Sequence, residues 1–312
     1  MELGNGHDRP VGVMESSLEN DPDSPRSRRR LPSPVIAPTL LTLGNVIAGF
    51  AAIYFAAKPT EYSGPFGWSS LTWAAVLVLV GLFLDSIDGM VARMTNGMSE
   101  MGNQLDAMAD LITFGVAPAF VVLRLTSNYI GPESDMVAGP DADNIVAKVV
   151  WAIAALYVCC AALRLAKFSV AHSDDLETST MTFEGLPSPG AAGTVVSLII
   201  FHQYYLGPLG PNEPPTWFPQ YSAFVIPLVM LLCAIGMVSA IPYPHFANRF
   251  LKGKSTVSYI IRLAVIMILI VVELEVTLTV SFVVYALSGP ACSLWRWMHR
   301  KKKPESLGQP GS

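Results

Sequence analysis

Residues 84–110 read LDSIDGMVARMTNGMSEMGNQLDAMAD. The stretch holds four aspartates, Asp85, Asp88, Asp106 and Asp110, and it lies between LTWAAVLVLVGLF (71–83) and LITFGVAPAFVVL (111–123). Both flanks read as membrane, where an aspartate at the centre of a span costs about 2.5–3.5 kcal/mol on insertion scales. The chain therefore places carboxylates where each is expensive to bury, and the placement calls for a chemical reason.

The rest of the chain fixes the setting. Hydrophobic residues make up 52% and charged residues 14%, well below the quarter that is usual for soluble domains. A span needs about 20 mostly apolar residues, and such runs recur at 36–57, 71–92, 104–125, 145–166, 191–207, 221–241, 257–272 and 275–291. The expected fold is an all-α polytopic membrane protein with about eight transmembrane helices. Lys and Arg mark cytoplasmic flanks. Arg26, Arg28, Arg29 and Arg30 precede the first run, and Arg296, Arg300, Lys301, Lys302 and Lys303 follow the last. Stretches 163–190 and 241–256 carry further positive charge, whereas 127–144 and 208–220 carry none. Both termini and the aspartates are thus expected on the cytoplasmic side. No cleavable leader is expected, because the first apolar run starts late and is long enough to span. Cys159, Cys160, Cys233 and Cys292 lie in or beside apolar runs without CxxC spacing, which argues against zinc and against a disulfide framework. No nucleic-acid partner is expected.

Helical geometry sets which way the acids point. At about 100° per residue, Asp85, Asp88, Gly89 and Ala92 share one face, and Gly102, Asp106, Asp110 and Thr113 share another. The short connection makes the two helices antiparallel neighbours, so the acidic faces meet. Like charges brought together need either protonation or a hard divalent cation, which takes oxygen ligands. One or two Mg²⁺ or Mn²⁺ ions suit four carboxylates. Mg²⁺ keeps positions open for water and substrate phosphates, which points to phosphate chemistry. Gly89, Ala92 and Gly102 leave room for a bulky ligand, and Arg93 offers planar donors to a phosphate oxygen. The competing reading of intramembrane acids is an ion path or proton relay.

The pattern Asp85-x2-Asp88-Gly89-x2-Ala92-Arg93-x8-Gly102-x3-Asp106-x3-Asp110 spans 26 residues with eight fixed identities. It resembles the signature of the CDP-alcohol phosphatidyltransferases at every defined position. The resemblance implies that Asp85, Asp88, Asp106 and Asp110 hold two divalent ions at the pyrophosphate of a CDP-activated lipid. It also implies that Asp85, Asp88, Gly89, Ala92, Arg93 and Gly102 surround the cytidine diphosphate, and that Asp110 is the general base. A free carboxylate is a weak base at neutral pH, so Asp110 needs tuning by neighbours or a metal that acidifies the hydroxyl.

ALRLAKF (162–168), FEGLPSPGAAG (183–193) and MVSAIPYPHF (237–246) look like the bacterial and archaeal type of phosphatidylserine synthase. Lys167 and Ser169 stand where that type usually has Arg and Asn. The resemblance implies transfer of the phosphatidyl group of CDP-diacylglycerol to L-serine, in a homodimer of the bacterial or archaeal cell membrane. Arg164, Lys167 and Thr113 are the candidates for contacts to serine or lipid phosphate. Glu184 and His245 are weaker ones. Residues 1–34 are then read as a disordered cytoplasmic tail and 35–256 as the catalytic membrane domain of six helices. Residues 257–291 form a C-terminal pair of spans and 292–312 a basic tail. The unrelated synthases with HxKxxxxD motifs do not fit: His299 has Lys301 at the required offset, but Ser306 stands where the aspartate is needed. Two alternatives remain open. One is the same chemistry with glycerol phosphate, inositol phosphate or choline as acceptor; the other is a divalent-metal transporter.

Overall fold

The computed structural model describes residues 36–59, 62–94, 100–130, 137, 139–174, 185–206, 217–241, 243 and 273–300. The expected span 257–272, both tails beyond these limits, Glu184 and His245 lie outside the described residues. Among the described residues the regular secondary structure is helical, apart from a single isolated bridge between Ser63 and Ser69.

Eight α-helices follow one another among the described residues: α1 (Ile36–Ala56), α2 (Ser70–Met94), α3 (Glu100–Asp110), α4 (Ala117–Ile130), α5 (Ile145–Asp174), α6 (Ser188–Phe201), α7 (Trp217–Val238) and α8 (Leu274–Arg300). Six helical segments among them are long and apolar enough to cross a membrane: Pro38–Ala56, Ser70–Val91, Met101–Tyr129, Ile145–Lys167, Pro219–Val238 and Leu274–Arg296. Their outward faces carry Leu40, Ile47, Phe50, Phe83, Leu163, Val225, Leu228 and Leu232 exposed. Such continuous apolar surface belongs against lipid rather than water. The chain is an integral membrane protein of all-α class.

The expected span 191–207 corresponds to α6 and to the π-helical His202–Leu206 that continues it, and is not among those six. Helix α6 is buried within the bundle, with Gly190, Ala191, Ala192, Gly193, Thr194 and Ser197 all inside. Small residues let neighbouring backbones approach closely where packing, rather than a hydrophobic drive, holds membrane helices together. Helix α6 packs on α2, α7 and α8, while α1 lies along α2 and α5 along α7. Val78, Val121, Leu125, Val195 and Ile199 fill the centre. Helix α8 continues to Arg300, past the boundary expected at residue 291.

The third crossing is one rod with a wide turn in it. Between α3 and α4, Leu111–Val116 winds as a π-helix, and the Ala117 amide donates back to the Ile112 carbonyl. Pro118 explains the local break: it has no N–H and its ring crowds the carbonyl four residues earlier. That carbonyl belongs to Phe114, and the buried Tyr157 hydroxyl of α5 donates to it at 3.0 Å. The wide turn begins directly after Asp110, as π-turns often do beside functional residues.

Candidate metal and phosphate site

The acidic faces of α2 and α3 meet as their spacing requires. Asp85, Asp106 and Asp110 each offer a carboxylate oxygen, and these atoms lie within 4.8 Å of one another. The donor set is oxygen only, the kind that hard divalent cations take, so the three residues fit such an ion. Asp88 stands beside this trio, close enough for its charge to act on Asp106. It is buried, and the Thr42 hydroxyl donates to its Oδ2. Its Oδ1 has no partner among the described residues. A buried carboxylate oxygen left in that state normally costs free energy, which a cation or a ligand donor at this spot would offset.

Helix α1 supplies the other wall. Asn45 is fully buried and its Nδ2 donates to Asp110 Oδ1 at 3.2 Å, leaving Asn45 Oδ1 without a partner. Thr42 and Asn45 sit three residues apart on one face of α1, so both point to the acids. Sequence reasoning passed over this pair. The available signal was two polar residues at helical spacing inside an otherwise apolar run.

Thr113, a candidate for contacts to serine or phosphate, is wholly buried and donates to the Asn45 carbonyl at 2.9 Å. It lies against a glycine of α1 and a glycine of α2. A Cβ on Gly49 would fall 2.9 Å from the Thr113 Cα, and one on Gly81 would fall 2.5 Å from its Cγ2. Thr113 thus joins three helices behind Asp110. Gly89 differs: it is exposed, and a Cβ there would meet nothing within 4 Å. It borders open space beside the acids. Gly102 is half-buried on α3. Ala92 and Arg93 belong to α2 by their backbone, and their side chains lie outside the described ones.

On the far side, Arg164 of α5 donates from Nη1 to Ser188 Oγ at 2.9 Å, at the first turn of α6. Its charge acts on Asp110, and its Nε is buried without a partner among the described residues. Lys167, one turn on, is exposed. The structure therefore gathers Asp85, Asp106 and Asp110, sets Asp88 against Thr42, and brings Arg164 to the Asp110 side. Chemically the arrangement offers an anionic oxygen cage, an open small-residue border and a cation facing it. Such a donor set would suit a hard divalent ion, which keeps positions open for further oxygen ligands.

Comparison with known proteins agrees. The model of the CDP-alcohol phosphatidyltransferase family matches residues 35–241. The chain is 28% identical over 261 residues to a CDP-diacylglycerol–serine O-phosphatidyltransferase of Helicobacter pylori (strain ATCC 700392 / 26695), covering 84% of this chain and 90% of that protein. It is 31% identical over 217 residues to the protein of the same name from Bacillus subtilis (strain 168), covering 68% and 92%. An archaetidylserine synthase of Methanothermobacter thermautotrophicus is 28% identical over 219 residues, covering 70% and 73%. With the carboxylates converging as the signature demands and the match running over most of the membrane-spanning part, the chain belongs to the CDP-alcohol phosphatidyltransferase family.

Proposed function

We propose that this protein transfers the phosphatidyl group of CDP-diacylglycerol to the hydroxyl of L-serine, giving phosphatidylserine and CMP. The observation that carries the reading is the convergence of Asp85, Asp106 and Asp110, with Asn45 gripping one oxygen of Asp110. Serine as acceptor draws its support from the relatives, whose names share serine while the lipid differs.

The roles follow from position. Asp85, Asp88, Asp106 and Asp110 would hold divalent cation, with two Mg²⁺ or Mn²⁺ ions as the expected complement. A divalent ion bound there supplies charge neutralisation for the pyrophosphate and for the departing nucleotide. Gly89, Ala92 and Gly102 border the nucleotide, and Arg93 meets a phosphate oxygen. Asp110 takes the proton of the serine hydroxyl through the oxygen that Asn45 leaves free. The serine oxygen then forms its bond to the phosphatidyl phosphorus, the bond from that phosphorus to the CMP oxygen breaks, and the electron pair leaves with CMP. Arg164 receives the serine carboxylate or a lipid phosphate, and Lys167 adds positive charge at the rim. The excess of Lys and Arg at both ends and in 163–190 and 241–256 supports a site open to the cytoplasm of a bacterial or archaeal cell. A homodimer in that membrane is the expected assembly.

The test is CMP release by purified protein in lipid vesicles containing CDP-diacylglycerol, with L-serine, glycerol 3-phosphate, inositol phosphate and choline offered separately. Release with serine alone is expected. Robust release with another alcohol and none with serine would overturn the acceptor. Metal uptake by the vesicles without any CMP release would favour the transporter.

A further inference from the structure

Helix α8 lies beyond the segment that the family model matches, yet it is keyed into the bundle. Its partner is α6. A Cβ on Gly193 would collide with the Phe282 ring, and one on Gly190 would fall 2.6 Å from Tyr285 Cε1. Both aromatic rings therefore lie directly on glycine backbone. Thr194 Oγ1 sits 3.2 Å from the Phe282 carbonyl, and Thr279 Oγ1 sits 3.0 Å from the Ser197 carbonyl. Interhelical contacts of this kind contribute modestly to helix association within a membrane, and they fix the register of α8 against α6.

That register has a consequence at the site. The Tyr285 ring rests on Gly190, two residues after Ser188, and Ser188 is the residue that accepts the hydrogen bond from Arg164. Arg164 and Tyr285 are also within electrostatic reach of each other. Arg164 thus lies between Asp110 on one side and the turn capped by Tyr285 on the other. Its buried Nε has no partner among the described residues. An unmet buried donor costs free energy, so a site that keeps one beside the base is arranged for an acceptor atom that arrives with a ligand. The guanidinium fork matches a carboxylate.

We propose that Tyr285 is a positioning residue for the acceptor: by packing on the first turn of α6 it fixes the Arg164–Ser188 pair, so that the unpartnered Nε is presented to the carboxylate of an amino-acid acceptor. The inference rests on the reading of serine as acceptor, and it assigns to the C-terminal helix a part in acceptor recognition.

Steady-state CMP release by the full chain in vesicles, with serine and CDP-diacylglycerol varied in turn, tests it on Tyr285→Ala, Tyr285→Phe and Gly190→Ala. Tyr285→Ala is expected to raise KM for serine about tenfold while KM for CDP-diacylglycerol stays unchanged, the pattern of lost acceptor binding. Tyr285→Phe keeps the ring and should restore KM to within about twofold of the parent. Gly190→Ala displaces the ring and should reproduce the alanine variant. A wild-type serine KM in Tyr285→Ala overturns the inference. So does a uniform fall in kcat with both KM values shifted together and a lower Tm, which would mark α8 as general support. Wild-type protein that turns over no serine at all breaks the acceptor reading itself, an outcome distinct from an active parent with an indifferent Tyr285→Ala variant.

Discussion

At one end of the α1–α2 pair, Thr42 and Asn45 hold Asp88 and Asp110. At the other end, Phe55 and Trp73 stack with centroids 5.9 Å apart, Trp68 packs 5.1 Å from Trp73, and the Lys58 ammonium lies 4.9 Å from the centroids of both the Tyr54 and Tyr62 rings. The same two helices thus carry a polar end and an aromatic end. Among the described residues, four buried side-chain atoms lack a hydrogen-bond partner. Three of them, on Asn45, Asp88 and Arg164, belong to the polar end, and the fourth is Trp73 Nε1. Unmet polar atoms gathered around the acids fit a site that a ligand completes; the aromatic end gains its stability from ring packing, about 0.5–1.5 kcal/mol per well-placed pair. The difference assigns chemistry to one end and anchorage to the other.

The sharpest way to break that division is at the base. Asp110→Asn keeps the shape but removes the proton acceptor, and kcat for CMP release is expected to fall by about 10²–10⁴. Binding of CDP-diacylglycerol in the presence of Mg²⁺ should survive, because Asp85, Asp88 and Asp106 remain. Stripping the divalent ion with EDTA should abolish both binding and turnover, with Mg²⁺ or Mn²⁺ restoring them. Full activity in Asp110→Asn would show that the acids do not act as proposed, and the contrast between the two ends would lose its meaning.

A smaller effect is expected one step back from the reacting atoms. Asn45→Ala leaves Asp110 without its partner from α1, and partners of that rank typically change activity by about 10–100-fold. The loss should appear in kcat rather than in KM for either substrate, because Asn45 orients a carboxylate. Measuring both parameters on the same preparation checks this. An unchanged kcat would move α1 from the polar site to mere packing.

These residues also show how far the linear pattern of the chain discloses its fold and its site. The acidic trio is legible because helical periodicity converts i, i+3 and i, i+4 spacings into a shared face, and the crossings are legible as apolar runs. Thr42 and Asn45 are not, since two uncharged polar residues barely alter the character of an apolar segment, and only the fold shows which neighbour they meet. Helix α6 is legible as an apolar run, but its place is not. Only the fold shows that Gly190, Ala191, Ala192, Gly193 and Thr194 are enclosed by other helices. The π-turn after Asp110 is half legible: Pro118 announces a break, but the hydroxyl that meets the freed Phe114 carbonyl comes from Tyr157 on another helix. The link from Tyr285 to Arg164 is tertiary throughout, because nothing in the pattern of α8 points to a glycine in α6.

The smallest effect is expected at the aromatic end, and it sharpens the comparison from the other side. Trp73 packs against Phe55, Phe66 and Trp68, and its Nε1 faces the Gly64 backbone without a hydrogen-bond acceptor. Trp73→Phe gives up part of the ring contact but also removes a donor whose burial costs about 1–3 kcal/mol. The two terms oppose each other, so Tm should move by no more than about 2 °C and turnover should stay within about twofold of the parent, as for substitutions outside the named destabilising mechanisms. Thermal unfolding in detergent and CMP release, run side by side with Asn45→Ala, provide the measurement. A loss of turnover in Trp73→Phe as large as in Asn45→Ala would mean that the rings at one end set the geometry of the acids at the other, and the two ends of α1 and α2 would then have to be treated as one coupled unit.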